Sequence, residues 1–191
     1  MVIKLTNITK KFDNKTVLNH FSHDIKIGET TCIMGASGSG KTTLLRIMMG
    51  LETPDDGLVE GVEQLRKSVV FQEDRLCENL TVATNIKMAR QELLEQAHLL
   101  EAVQKMGLPA DCLKQAVQTL SGGQKRRVAI LRALLTDYDM LLMDEPFKGL
   151  DVETKGQVID FVKESTVGKT VILVTHDETE CEAMADVVIA T

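Results

Sequence analysis

The sequence predicts an α/β fold built on a parallel sheet, and three observations carry that prediction. Apolar runs of strand length alternate with helical stretches through much of the chain. A glycine-rich loop, Gly35-Ala36-Ser37-Gly38-Ser39-Gly40-Lys41-Thr42, stands between one such run and one such helix. A second apolar run, Met140-Leu141-Leu142-Met143, shows no polar alternation and stops abruptly at Asp144-Glu145-Pro146, as a strand covered on both faces does.

Taken in order, the chain opens with a β-like alternation over 2–27, turning at Asp13-Asn14-Lys15 as a hairpin would. Thr30-Thr31-Cys32-Ile33-Met34 is a short β-prone run leading into the glycine loop. Thr42-Thr43-Leu44-Leu45-Arg46-Ile47-Met48-Met49 places its apolar residues on one helical face, and Gly50 ends it. Pro54-Asp55-Asp56-Gly57 marks a turn, with Leu58-Val59-Glu60 returning as a strand. Ser68-Val69-Val70-Phe71 leads into Gln72. The stretch 81–119 reads as almost all helix, with the clearest periodicity over 91–100 and a break at Gly107-Leu108-Pro109. Ser121 suits a helix cap ahead of Gln124–Leu135, and Val171–Thr175 and Val187–Ile189 complete the strands.

The glycine loop is a complete G-x-x-x-x-G-K-T in the strand–loop–helix setting that a phosphate loop requires. Its glycines let the backbone curl so that several N–H groups converge, and the helix N-terminus adds the positive end of its dipole. Lys41 is thereby assigned to the β- and γ-phosphates of a nucleoside triphosphate, and the Thr42 hydroxyl to Mg²⁺. At the end of the continuous apolar strand, Asp144 suits a Mg²⁺ anchor. Glu145 suits a carboxylate that polarises water for in-line attack on the γ-phosphate.

Leu120-Ser121-Gly122-Gly123-Gln124 opens a helix with glycines that leave backbone N–H groups bare for an anion. This LSGGQ segment, its Arg-rich helix and the following apolar strand ending in Asp-Glu-Pro closely resemble the ATP-binding cassette family. The resemblance runs over nearly the whole chain. It identifies Gln72 as the Q-loop glutamine, Gly149-Leu150-Asp151 as the D-loop, His176 as the switch histidine and Phe12 as the aromatic residue that stacks on adenine. Lys148 departs from the small residue frequent beside that D-loop.

The resemblance implies a P-loop nucleoside-triphosphatase core with an N-terminal antiparallel β-subdomain and a helical subdomain. Within one domain, 1–75 would hold the β-subdomain and phosphate loop, 76–120 the helical subdomain, and 121–191 the rest of the core. It further implies a head-to-tail dimer, in which ATP on one subunit's loop, Gly35 to Thr43, is covered by the other's Ser121 and Gly123. Glu145 would be general base, His176 would touch the γ-phosphate, and Gln72 would link Mg²⁺ and water to a partner. Asp151 would carry communication across the dimer.

Composition narrows the classes. At 191 residues the chain has the length of one domain. A net charge of −6 and 3% aromatic residues argue against a nucleic-acid partner. Lys125-Arg126-Arg127 reads as a solvated helix face or as anion support near the nucleotide. No apolar run approaches the ~20 residues of a membrane span, and the N-terminus is not signal-like. The four cysteines, Cys32, Cys77, Cys112 and Cys181, are scattered without a C-x-x-C pair and suit a reducing cytosol.

Phe71-Gln72-Glu73-Asp74-Arg75-Leu76, with Asn79-Leu80-Thr81-Val82 and Asn85-Ile86, is similar to ATPases of nitrate, sulfonate, taurine or thiamine-precursor importers. Cys77-Glu78 replaces the Leu-Pro usual there. This segment suits a docking cleft for a separate permease. The expectation is an ATPase subunit bound peripherally to the inner face of the cell membrane through permease subunits, served by a solute-binding protein. The alternatives are an exporter or lipoprotein-release ATPase, and a soluble cassette without a transport role. The chain's stop soon after Val187–Ile189 suggests a minimal or abbreviated cassette.

Overall fold

The computed structural model describes residues 2–13, 15–89 and 95–191. In chain order its elements are β1 (Val2–Phe12), β2 (Lys15–Lys26), β3 (Thr30–Met34), α1 (Lys41–Met49), β4 (Asp56–Glu60), β5 (Lys67–Val70), α2 (Val82–Lys87), α3 (Gln96–Lys105), α4 (Gly122–Leu134), β6 (Met140–Asp144), α5 (Val152–Ser165), β7 (Thr170–Val174), α6 (Glu178–Met184) and β8 (Val187–Ala190). Two units emerge. The first takes Met1–Lys67, Tyr138–Glu145 and Gly168–Thr191, and the second Ser68–Asp137 and Pro146–Val167.

Two sheets build the first unit. β1 is the middle strand of an antiparallel sheet ordered β2-β1-β4. Its alternation buries Ile3 and Leu5 while Val2 and Lys4 face outward, the period of a sheet with one covered face. Phe12 pairs with Lys15 at the hairpin end. Of the expected turn residues there, Asp13 takes a φ of 51° and Asn14 lies outside the described residues.

The other sheet is parallel, with neighbours in the order β6-β7-β3-β8. Every residue of β6 and β7 is buried, the condition that makes a strand continuously apolar rather than alternating. α1 packs against β6 and β7 and ends at Gly50, whose φ of 76° lets its N–H reach the Arg46 and Ile47 carbonyls.

The second unit is less helical than the sequence suggests. Across 81–119 the described residues hold only α2, α3 and two 3-10 segments, Ala110–Lys114 and Val117–Thr119. The expected helical residues 91–94 lie outside the described residues. The chain returns alongside itself: Thr81 bridges Ala116 antiparallel, Val82 N donates to the Gln115 carbonyl, and Val117 N donates to the Leu80 carbonyl. Those backbone bonds compete with helix, and periodicity does not register them. α4 is the central helix of this unit, packing on α2 and α5.

The cysteine reading needs correction. Cys32 in β3 and Cys181 in α6 form a disulfide across a sequence separation of 149 residues, with Cα atoms 5.8 Å apart. Scatter along the chain concealed a pair that the fold brings together. Cys112 is a buried thiol whose pKa is pushed up by burial, and Cys77 is an exposed one.

Candidate functional site

The glycine loop joins β3 to α1. Gly40, at φ 96°, is the N-cap of α1, and a side chain there would run into the Val17 carbonyl and Leu18. Ser39 N closes a turn onto the Ala36 carbonyl at 3.1 Å. Ala36, Ser37 and Gly38 stay exposed at the crest. Lys41 is 7% exposed and folds back over the loop, its Nζ donating to the Gly35 and Ala36 carbonyls at 2.7 and 2.9 Å. Thr42, exposed, and Thr43, half-buried, begin a helix with no acidic residue in its first turn. That terminus is suited to an anion.

Neighbouring strands bring further groups to the same edge. β6 and β3 both flank β7, so the segments after all three strands emerge together at the carboxyl end of the sheet, where α/β folds bind ligands. Asp144 closes β6 and is 5% exposed. Glu145 follows at φ 48°, a region sparsely used by residues with a side chain, and is held by its N–H to the Val174 carbonyl at 2.8 Å. His176 Nδ1 lies 2.8 Å from both Glu145 carboxylate oxygens. The structure thus joins two residues that sequence reading named separately.

One supporting residue escaped sequence reading. Glu180, 3% exposed, accepts a hydrogen bond from Thr175 Oγ1 at 2.6 Å, and Thr175 Oγ1 in turn accepts from Asp177 N at 3.1 Å. His176 sits between these bonded neighbours, so its backbone is fixed from both sides. An acid four residues beyond His176 on a short helix gives no local signal of that role.

Thr42 and Asp144 offer the hard oxygen donors that Mg²⁺ takes, on a helix and a strand that pack together. The described residues contain no cluster of three or more His, Cys, Asp or Glu side chains that could hold a metal ion. Phe12, 45% exposed at the end of β1, presents a ring in the same unit.

The remaining predicted residues belong to the second unit. Ser121 Oγ accepts from Gln124 N at 3.3 Å, and Gln124 Oε1 accepts from Ser121 N at 2.9 Å, a capping box. Gln124 is therefore occupied in holding the turn, and a side chain on Gly122 would meet nothing within 4 Å. Asp151 caps α5, accepting from Thr154 N at 2.9 Å, and that bond holds its carboxyl below the ordinary value. Gln72 is exposed.

The basic cluster after Ser121 is not a solvated face. Arg126 is 4% exposed and donates to the Pro146 and Phe71 carbonyls, each at 2.6 Å, and to Asp74 at 3.2 Å. Arg127 reaches the Met106 and Gly107 carbonyls. Lys125 alone makes a surface pair, with Glu78 at 3.0 Å. Side chains from α4 here tie loops of their own unit, because those loops turn unpaired carbonyls toward it.

A glycine-rich loop after β3, with a Glu–His pair and a buried Asp at the ends of the adjoining strands β6 and β7, is the layout of a P-loop nucleotide-binding domain. Comparison with known proteins bears on that class directly. The family model for ABC transporters matches residues 18–148. The aliphatic sulfonates import ATP-binding protein SsuB 3 of Rhodococcus jostii is 39% identical over 97% of this chain and 69% of its own length. The sulfate/thiosulfate import ATP-binding protein CysA of Mesorhizobium japonicum is 35% identical over 99% of this chain and 60% of its own length. The ATP-binding cassette MJ0796, solved as a dimer in a post-hydrolysis state bound to ADP and Pi, aligns with a TM-score of 0.84 at 30% identity, covering 98% of this chain and 93% of that one. The chain belongs to the ABC transporter family. It spans less than two thirds of the CysA relative, and no helix among the described residues is long and apolar enough to cross a membrane.

Proposed function

We propose that this chain is the ATP-hydrolysing subunit of an ABC importer, driving a small solute through separate permease subunits as two copies close head to tail around ATP. The observation that carries the proposal is the Glu145–His176 pair at the strand ends beside the phosphate loop. The importer assignment leans on the SsuB and CysA relatives, both named as import proteins. The dimer leans on the MJ0796 assembly.

In this mechanism the loop N–H groups and the α1 terminus bind the phosphates, and Lys41 exchanges its two loop carbonyls for phosphate oxygens. Phe12 takes the adenine. Thr42 and Asp144 would hold Mg²⁺, which when bound would neutralise charge on the nucleotide phosphates. Glu145 accepts a hydrogen bond from the attacking water and receives its proton as the new P–O bond forms. The bond from γ-phosphorus to the bridging oxygen breaks, leaving ADP and phosphate. His176 orients Glu145 and reaches the γ-phosphate. Ser121, Gly122 and Gly123 of the second copy donate to that same phosphate group, with Gln124 holding the turn and Asp151 relaying closure. A solute-binding protein delivers the cargo, and the subunit sits on the cytoplasmic face of the membrane through its permease.

Glu145→Gln tests this reading. The variant keeps the pocket and loses the base, so it is expected to accumulate as an ATP-bound dimer by size-exclusion chromatography with Mg²⁺, with turnover reduced about 100-fold or more. A monomer at saturating ATP, or turnover at the wild-type rate, would remove Glu145 from the role given it.

A further inference from the structure

We propose that Thr191, just beyond β8, is a positioning residue for the phosphate loop and acts through the Ser39 hydroxyl. The inference rests on the nucleotide-binding reading above and adds a residue that no motif of the sequence marks.

The phosphate loop binds through backbone N–H groups, which converge only while the loop backbone keeps one conformation. Ser39 lies near the middle of that loop. Its hydroxyl is 2.7 Å from the Thr191 hydroxyl. Thr191 is itself anchored twice to the residue before Gly35: its backbone N donates to the Met34 carbonyl at 3.0 Å, and its Oγ1 donates to the same carbonyl at 3.4 Å. The hydroxyl pair at 2.7 Å can be donated from either side. Either way Ser39 is tied to Thr191, and Thr191 to Met34 through its backbone N–H.

Gly35 shows how closely these groups are set. A Cβ at Gly35 would lie 2.6 Å from both the Ser39 and Thr191 hydroxyl oxygens, and 3.0 Å from the Thr191 carbonyl oxygen. The bridge therefore occupies the space that the first glycine of the loop leaves vacant. One threonine grips the loop at two points: its entry through Met34, and its middle through Ser39. Without the Thr191 hydroxyl, Ser39 keeps the backbone bond from its N–H to the Ala36 carbonyl, and its hydroxyl is released to compete for the loop's own N–H groups or for phosphate oxygens.

Titration of the purified chain with ATP and Mg²⁺, read by calorimetry, tests the bridge. Thr191→Val keeps the shape and deletes the hydroxyl, and is expected to weaken ATP binding about fivefold, the scale of one net hydrogen bond. Thr191→Ser restores the hydroxyl and is expected to bind within twofold of wild type, which a purely steric role for Thr191 would not produce. Ser39→Ala should match Thr191→Val, and the double variant should be no weaker than either single one. Wild-type affinity in Thr191→Val or in Ser39→Ala, or single losses that add in the double variant, would overturn the proposal. Should Thr191→Val not fold, Ser39→Ala decides alone. A wild-type chain that binds no ATP would remove the nucleotide reading itself, an outcome distinct from failure of the bridge.

Discussion

Lys125, Arg126 and Arg127 are three adjacent cations on one helix, and they do three different things. Helical geometry turns successive residues by about 100°, so neighbours in sequence face different surroundings. Lys125 faces Glu78 at the surface, Arg127 reaches loop carbonyls, and Arg126 is buried against the Phe71 and Pro146 carbonyls. Nothing in the residue types separates them, which is why charge alone suggested a solvated face. The flat guanidinium spreads five donors over a rigid fork and reaches separated acceptors, whereas an ammonium offers three donors from one point. Arg126→Lys is therefore expected to destabilise the protein by about 3 kcal/mol in urea unfolding, because buried carbonyls lose their donors. Lys125→Ala should cost no more than about 0.5 kcal/mol, as exposed pairs do. Equal losses from the two substitutions would contradict the burial of Arg126.

Among elements, legibility followed the range of the interactions. β3, β6 and α1 were readable because each is set locally: an apolar run of strand length, an abrupt acidic stop, a loop of glycines and a terminal Gly50. The capping box at Ser121 is likewise local, with both partners within three residues. The stretch 81–119 was misread because its shape depends on pairing between Leu80–Val82 and Gln115–Val117. Asn85, 2% exposed, adds to this by accepting from Cys77 N and donating to the Cys77 and Thr81 carbonyls. The cap at α4 yields a prediction that separates structure from function. Ser121→Ala loses one cap bond and is expected to cost about 1 kcal/mol of stability. Ser121→Arg should cost a similar amount, leave ATP binding by the single subunit intact, and abolish ATP-driven dimerisation in light scattering. Loss of ATP binding by the monomer in Ser121→Arg would mean that the segment serves its own subunit's nucleotide.

At the scale of the whole molecule, the Cys32–Cys181 pair connects the strand that feeds the phosphate loop to the helix that follows His176. The same logic explains why the candidate site was largely legible and this link was not. Motif residues declare themselves by spacing, as Gly35 to Thr42 and Asp144-Glu145 do, whereas two cysteines 149 residues apart meet only once the parallel sheet is assembled. Their bond bears chiefly on the unfolded chain. Closing a loop of that length removes conformational entropy worth about 5 kcal/mol in the chain-entropy account. Reduction would free the two sulfurs in β3 and α6 and leave the parallel sheet in place. The oxidised protein is therefore expected to melt about 10 °C above the dithiothreitol-treated protein. A Cys181→Ala variant should melt at one temperature in either condition. Identical melting of wild type with and without reductant, alongside a 2 Da mass difference on reduction, would show that the link forms without constraining the unfolded state.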